Sequence, residues 1–114
     1  MAAVDASVVV YRPDLDLLES LFASIAGQAG GHDIRVYVQD NSDDADHVAA
    51  IRALPSLAPG GAFSVVDIAR SASNLGFGRG HNANAARGNA AWLWVLNQDC
   101  IVEPDVVGPL IAAA

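Results

Sequence analysis

The apolar residues of the chain follow two kinds of pattern, one with helical spacing and one of short continuous runs. Leu18, Phe22 and Ile25 recur at helical spacing and predict an amphipathic helix over residues 13–28, ended by Gly30 and Gly31. Short apolar runs rich in β-branched residues are typical of buried strands. These runs occupy residues 6–11, 34–39, 63–68 and 91–96.

Three further helices are predicted between and after these strands. They cover residues 45–54, residues 81–87, and a final segment that Pro104 opens and that runs to the end of the chain. Pro109 lies inside the last segment and is expected to remove a backbone hydrogen bond and kink the helix. Residues 55–61 are expected to form a surface turn. The alternation of strands and helices predicts an α/β fold with a mostly parallel, Rossmann-like sheet and helices on both faces.

Composition and charge narrow the classes of function. The 114 residues suffice for one domain, and 53% of them are hydrophobic, so a packed core is expected. The net charge of -7 argues against nucleic-acid binding, which normally requires a basic face. The single cysteine excludes an intramolecular disulfide and favours a reducing, cytoplasmic location. We find neither a transmembrane-length apolar run nor the basic start of a signal peptide.

The polar residues after the fourth apolar run carry the strongest functional signal. Asn97, Gln98 and Asp99 follow directly after a predicted buried strand. Ligands of open α/β sheets bind just outside the carboxyl ends of the strands. A single carboxylate with neutral polar neighbours suits Mg²⁺, which binds one or two carboxylates together with substrate phosphates.

Two other strand ends are expected at the same edge of the sheet. Tyr11 and Arg12 follow the first strand and either form a simple strand-to-helix turn or approach a nucleotide. Asp40 follows the second strand and can accept a hydrogen bond from a pyrimidine N–H or a ribose hydroxyl. The alternative for Asp40 is a local turn, because Asp and Asn side chains readily bond nearby backbone.

A polar, glycine-rich segment from Asn74 to Asn82 follows the third strand. Gly76, Gly78 and Gly80 alternate there and would let the backbone approach a ligand closely. Arg79 within such a loop can bind a phosphate through two hydrogen bonds. A flexible loop is the alternative. The segment is not a dinucleotide-binding fingerprint, because its spacing is wrong and it follows the third strand rather than the first.

A structural interpretation competes with a functional one at four other residues. His81 is either a metal ligand or general base, or a residue that forms hydrogen bonds at the start of a helix. Trp92 and Trp94 share one face of their strand, which favours core packing or a partner surface over a sugar platform. Cys100 has no partner cysteine or neighbouring histidine and is interpreted as a packing residue.

The order of four motifs resembles the amino-terminal half of family-2 glycosyltransferases with the GT-A fold, and most closely their rhamnosyltransferase-like branch. The resemblance extends over residues 6–113. The motifs are Val-Val-Val-Tyr-Arg-Pro, Val-Gln-Asp-Asn-Ser, Asn-Leu-Gly-Phe-Gly-Arg-Gly-His-Asn and Leu-Asn-Gln-Asp-Cys-Ile-Val-Glu-Pro-Asp, in that order.

The resemblance implies roles for individual residues. Asp99 matches the last Asp of the family's Asp-x-Asp motif and would hold the metal, while Asn97 replaces the first Asp of that motif. Asp40 matches the Asp that contacts the base. The remaining matches border the nucleotide or the donor sugar: Tyr11, Arg12, Asn74, Gly76, Arg79, Gly80 and Asn82.

The function implied is transfer of a sugar, with inversion, from a UDP- or dTDP-linked donor to a saccharide or lipid-linked acceptor in polysaccharide assembly. The metal would be Mg²⁺ or Mn²⁺. Residues 1–114 would form the nucleotide-sugar-binding half of a truncated GT-A domain, without the catalytic base and inactive alone. Exposed apolar surface is expected to promote self-association. The full-length protein would work at the inner face of the membrane.

Two alternatives belong to other classes of protein. One is a non-catalytic α/β fragment or interaction module with the same fold, which would need no metal at Asp99. The other is a small response-regulator-like domain, which also carries acidic residues at strand ends. The second is disfavoured by the glycine-rich segment and by the complete absence of lysine.

Overall fold

The computed structural model describes residues 2–71 and 73–114 and contains one parallel four-stranded sheet in the order β3-β2-β1-β4. The strands are β1 (Ala3–Val10), β2 (Asp33–Asp40), β3 (Val65–Arg70) and β4 (Trp92–Asn97). The helices are α1 (Leu15–Ala26), α2 (Asp46–Arg52), α3 (Gly76–Arg87) and α4 (Val107–Ala113). The predicted α/β architecture is confirmed, with element boundaries shifted by a few residues.

The two faces of the central strand β1 differ in chemistry. The alternate residues Ala6, Val8 and Val10 are fully buried in the main apolar core, which also contains the buried residues of α1. On the opposite face, Ser7 forms a hydrogen bond with α3, and Val9 packs against the same helix. Helices therefore cover both faces of the sheet, and the α3 side is joined to it largely through polar contacts.

Helix α1 begins at an aspartate and buries one apolar stripe. The Asp14 carboxylate accepts hydrogen bonds from the backbone N–H groups of Asp16 and Leu17, so it caps the helix. The helix ends at Ala26, earlier than predicted, because glycine at position 27 is a weak helix former and a 3₁₀ turn follows at Ala29–Gly31. Leu18, Leu21, Phe22 and Ile25 form the buried stripe.

The predicted start of the helix at residue 81 is wrong, because α3 already begins at Gly76 and includes most of the glycine-rich segment. Three glycines in the first two turns give a weak intrinsic helix propensity. Tertiary contacts compensate for this weakness. Asn41 donates a hydrogen bond to the Gly76 carbonyl (3.0 Å), and Gly80 packs against Val9 of β1.

The last helix also differs from the prediction. It begins at Val107 rather than at Pro104, and Pro109 is its third residue. Backbone N–H groups in the first turn have no acceptor within the helix, so Pro109 does not break a bond there, and the expected kink is wrong. The Gln28 side-chain oxygen accepts from the N–H groups of Val106 (2.9 Å) and Val107 (3.3 Å) and fixes the start of α4.

Two smaller features complete the fold. The predicted surface turn at residues 55–61 contains a 3₁₀ turn, Pro55–Leu57, whose Leu57 is buried in the core. Among residues 2–71 and 73–114, no helix is both long and apolar enough to span a membrane.

Candidate functional site

An open cavity of about 320 Å³ lies at the carboxyl edge of the sheet. It is bordered by the ends of three neighbouring strands, β2, β1 and β4, and by the start of α3. This is where parallel α/β sheets bind their ligands. The lining residues are Val9, Val10, Tyr11, Asn41, Asn74, Gly76, Phe77, Asn97, Gln98 and Asp99.

The structure brings half of the predicted site residues together at this cavity. Tyr11 comes from the end of β1, Asn97 and Asp99 from the end of β4, and Asn74 and Gly76 from the entry to α3. The other predicted residues lie outside the lining, namely Arg12, Asp40, Arg79, Gly80 and Asn82.

A side-chain amide holds the end of β4 against the end of β1. The paired register of the two strands ends at Val9 and Asn97. Beyond it, the Tyr11 N–H donates to Gln98 Oε1 (2.9 Å), and Gln98 Nε2 donates to the Tyr11 carbonyl (3.3 Å). Both polar atoms of the Gln98 side chain therefore form hydrogen bonds with the backbone of Tyr11. Asn97 and Asp99, on either side of Gln98, line the cavity, and their side chains form no hydrogen bond with another described residue.

The donor set at the end of β4 fits a divalent cation shared with a phosphate ligand. Among the described lining residues, Asp99 is the only carboxylate, and the Asn97 amide can supply a second oxygen. Within residues 2–71 and 73–114, no three His, Cys, Asp or Glu side chains cluster as a metal cage. Mg²⁺ characteristically binds through one or two protein oxygens and takes its remaining ligands from water and phosphates.

Arg12 turns away from the cavity. Its backbone has a φ of 43°, unusual for a residue other than glycine, and its N–H donates to Ser42 Oγ (2.8 Å). Its guanidinium pairs with the Asp43 carboxylate, and this hydrogen bond is the main cause of the raised pKa of Arg12. The Tyr11 hydroxyl also lies within 3.4 Å of Asp43, so the turns after β1 and β2 are joined.

Asp40 lies beneath this joined turn rather than at the cavity surface. It is fully buried, and its Oδ1 accepts from the Ser42 N–H (2.9 Å). Its Oδ2 is buried and has no partner among the described residues. The neighbouring Asn41 lines the cavity instead, although the sequence interpretation gave it no role of its own. Asn41 donates to the Gly76 carbonyl and accepts from the Leu75 N–H (3.4 Å).

The glycines of α3 serve two separate purposes. Gly76 has a φ of 77° and lines the cavity, and its N–H donates to Asn74 Oδ1 (2.8 Å). Gly80 is buried where a Cβ atom would lie 2.7 Å from Val9 Cγ2, so it permits close packing rather than ligand contact. Arg79 and Asn82 are exposed on the same helix.

A buried polar network that the sequence did not reveal joins α3 to β1. Asn84 donates to Ser7 Oγ (2.9 Å) and to the Val8 carbonyl (3.1 Å). Since Ser7 Oγ accepts this bond, its hydroxyl hydrogen is available to His81 Nδ1, 2.7 Å away. Burial lowers the pKa of His81, so the ring is neutral at pH 7. The available sequence signal was Ser7, a polar residue within an apolar run.

Comparison with known proteins shows which protein family the chain matches. A sequence model of the family described as Glycosyl transferase family 2 matches residues 7–114. No curated protein matches the chain in sequence.

Two solved structures share the fold. A crystal structure of S. aureus TarS is 15% identical with a TM-score of 0.71, covering 96% of this chain and 19% of that one. A crystal structure of S. aureus TarS 1-349 is 17% identical with a TM-score of 0.64, covering 95% of this chain and 31% of that one. The chain therefore spans less than a third of either structure, and the likeness supports the GT-A fold.

Proposed function

The chain belongs to glycosyl transferase family 2, and from this membership we propose that it forms the donor-binding half of an inverting glycosyltransferase. Its ligand is a UDP- or dTDP-linked sugar, and the whole enzyme transfers that sugar to a saccharide or lipid-linked acceptor in polysaccharide assembly. We place it in the rhamnosyltransferase-like branch. The observation that carries the proposal is the position of Asp99, the carboxylate of a cavity at the strand ends, with Asn97 beside it.

Asp99 and Asn97 are the residues that would hold Mg²⁺ or Mn²⁺. Such a cation, when bound, offsets the negative charge that develops on the leaving diphosphate. The contribution of the protein is positioning, because Gln98 fixes the turn that carries both side chains. No residue of this chain is proposed as the catalytic base.

Four other residues are proposed to contact the nucleotide. Tyr11, Asn74 and Gly76 line the cavity and can contact the nucleotide directly. Asp40 is proposed as the base contact, and its unpartnered Oδ2 is suited to accept a ring N–H. Because Asp40 is buried, this contact requires the turn held by Arg12 and Ser42 to move.

The other three residues that the family resemblance matches to the donor loop lie on α3. Gly80 is proposed to act indirectly, by letting the helix pack closely against Val9 of β1, which lines the cavity. Arg79 and Asn82 lie on the exposed surface of the helix, and family resemblance alone supports their roles. An arginine side chain is long enough to reach toward a phosphate from the first turns of a helix.

The alternative is a non-catalytic module with the same fold. The observation that favours it is that Asp99 is the single carboxylate among the described residues that line the cavity, so none of these residues is a second acid that could act as a base. The donor-binding half and the non-catalytic module differ in metal binding, because only a donor site needs Asp99 to hold a cation.

Calorimetric titration of UDP and dTDP with and without Mn²⁺ tests the proposal. We expect metal-dependent binding to the chain, lost in Asp99→Ala. The matched control is Asp46→Ala, which removes an exposed carboxylate from α2, far along the chain from β4. Binding that persists without metal or in Asp99→Ala contradicts the assignment of Asp99. Absence of any binding favours the non-catalytic module.

A further inference from the structure

One large aromatic side chain stands exposed at the rim of the cavity. Phe77 lines the cavity at the start of α3, and 57% of its surface is accessible. An aromatic ring exposed at the rim of a cavity is accessible to a ligand bound there, and aromatic rings at nucleotide sites commonly stack on bases.

A buried histidine supports the Phe77 ring. It packs edge-to-face against His81, with ring centroids 4.4 Å apart and an interplanar angle of 76°. His81 is itself 6% exposed and held by Ser7, which in turn bonds Asn84. The buried network thus reaches the cavity rim at Phe77 and restricts the orientation of its ring.

The sheet order separates the start of α3, which lies beside β2, from the end of β4 by one strand, β1. Asn41, at the end of β2, bonds the Gly76 carbonyl and so keeps the start of α3 beside β2. Asp99 follows β4, and β1 lies between β2 and β4. A nucleoside diphosphate with its phosphates at Asp99 can therefore cross the end of β1 and bring its base to Phe77.

We propose that Phe77 is the stacking wall for the nucleobase of the donor and that His81 is the positioning residue that orients its ring. The inference rests on the proposed function, and it adds a base contact that neither the motifs nor the family match assigns to this side chain. Stacking of one base on an aromatic ring supports a roughly ten- to hundredfold gain in affinity.

The test compares ligands with and without a base. Dissociation constants for UDP and for pyrophosphate, both with Mn²⁺, are measured on the chain, on Phe77→Ala and on the ring-retaining control Phe77→Tyr. We expect Phe77→Ala to bind UDP roughly tenfold or more weakly and pyrophosphate unchanged, while Phe77→Tyr binds both normally. Equal losses for both ligands, or unchanged UDP binding in Phe77→Ala, overturn the inference.

The role of His81 needs a measurement that a general loss of stability would not reproduce. His81→Asn keeps an acceptor for Ser7 but removes the ring that supports Phe77. We expect this variant to weaken UDP but not pyrophosphate, and the double variant with Phe77→Ala to be little worse than Phe77→Ala alone. Additive losses, or weaker pyrophosphate binding in His81→Asn, overturn the positioning role.

Failure of this inference can be told apart from failure of the proposed function. Manganese-dependent UDP binding that is lost in Asp99→Ala and kept in Phe77→Ala overturns the stacking wall alone. Absence of manganese-dependent binding of both UDP and pyrophosphate overturns the proposed function and the inference together. If Phe77→Ala weakens UDP-glucose but not UDP, the ring contacts the sugar, and the assignment to the base is wrong.

Discussion

The side-chain amide of Gln98 forms two hydrogen bonds with the backbone of Tyr11, one in each direction. This pair continues the contact between β1 and β4 past the last residues of the strand ladder. Because Asp99 is the next residue, the position of its carboxylate is coupled to the end of β1. Gln98, one of the three polar residues that follow the fourth apolar run, therefore stabilises the backbone of the site.

Replacing Gln98 with methionine removes both hydrogen bonds and keeps a similar side-chain length. We expect the free energy of unfolding to fall by about 1 kcal/mol, since the pair is solvent-exposed. Manganese-dependent UDP affinity should fall several-fold, because the turn that carries Asp99 loses its tether. Gln98→Glu still accepts from the Tyr11 N–H and should be intermediate. Calorimetry and urea denaturation measure both effects, and unchanged affinity in Gln98→Met would refute the coupling.

The glycines of α3 provide a matched pair of substitutions. A Cβ at position 80 would lie 2.7 Å from Val9 Cγ2, whereas a Cβ at position 78 meets no atom within 4 Å. We expect Gly80→Ala to destabilise the fold by about 1–3 kcal/mol. Gly78→Ala should be neutral or stabilising by up to about 1 kcal/mol, because alanine favours the helix. Urea denaturation of both variants gives the comparison.

A second substitution separates steric overlap from other effects at position 80. Val9→Ala removes both methyl groups that the new Cβ would meet. The double variant should therefore be more stable than the sum of the two single losses predicts. Additive losses would show that the close approach of α3 to β1 is not the reason for glycine here.

Much of the architecture could be predicted because local and tertiary signals agree. The apolar run of β1 and the helical spacing of Leu18, Phe22 and Ile25 indicate the same elements that the core requires. The start of α3 could not be predicted, since its glycines disfavour a helix and only Asn41 and the surface of β1 compensate. Contacts between residues distant in sequence therefore determine where α3 begins.

The candidate site was predictable to the level of the sheet edge but not of each side chain. Tyr11 and Asp99 lie together at the cavity because the ends of neighbouring parallel strands meet at one edge of the sheet. The orientations of Arg12 and Asp40 depend on the joined turns, through Ser42 and Asp43. No local pattern encodes those bonds.

His81 should make stability depend on pH in mildly acidic solution. Burial lowers its pKa in the folded protein below the ordinary value of 6.5, and its packed neighbours Ser7, Phe77 and Asn84 carry no charge. Below that value the unfolded chain takes up a proton that the folded chain does not. The free energy of unfolding therefore decreases as pH falls from about 7 through 6.5 toward the folded pKa.

Urea denaturation at about pH 7.5 and about pH 5.5 measures this dependence. We expect His81→Asn to lose less stability than the unmodified chain between the two values. Asn82→Ser, on the exposed side of the same helix, should keep the full loss and serves as control. An equal loss in His81→Asn would show that other groups cause the acid sensitivity.

The edge strand β4 should drive self-association. It pairs with β1 on one side, and Leu93 and Val95 leave 46% and 48% of their surfaces exposed on one face. Exposed apolar edge strands favour pairing with another chain. We expect a mass that rises with concentration in light scattering, reduced by Leu93→Lys or Val95→Lys. Leu17→Lys, at a residue 47% exposed on α1, should not reduce it. A constant monomer mass would contradict this expectation.

Introducing a second carboxylate beside Asp99 tests whether Asn97 and Asp99 are the metal ligands, because it should increase metal affinity where Asp99→Ala should abolish it. Asn97 supplies at most a neutral oxygen, so Asn97→Asp should strengthen manganese binding, because affinity for hard cations rises with the number of charged oxygen ligands. We expect a severalfold tighter manganese-dependent UDP affinity by calorimetry. Asn97→Ala should weaken that affinity, and Ala49→Asp, which adds the same charge at an exposed position of α2, should leave it unchanged. Equal gains in Asn97→Asp and Ala49→Asp would mean that net charge, and not coordination at the end of β4, determines metal affinity.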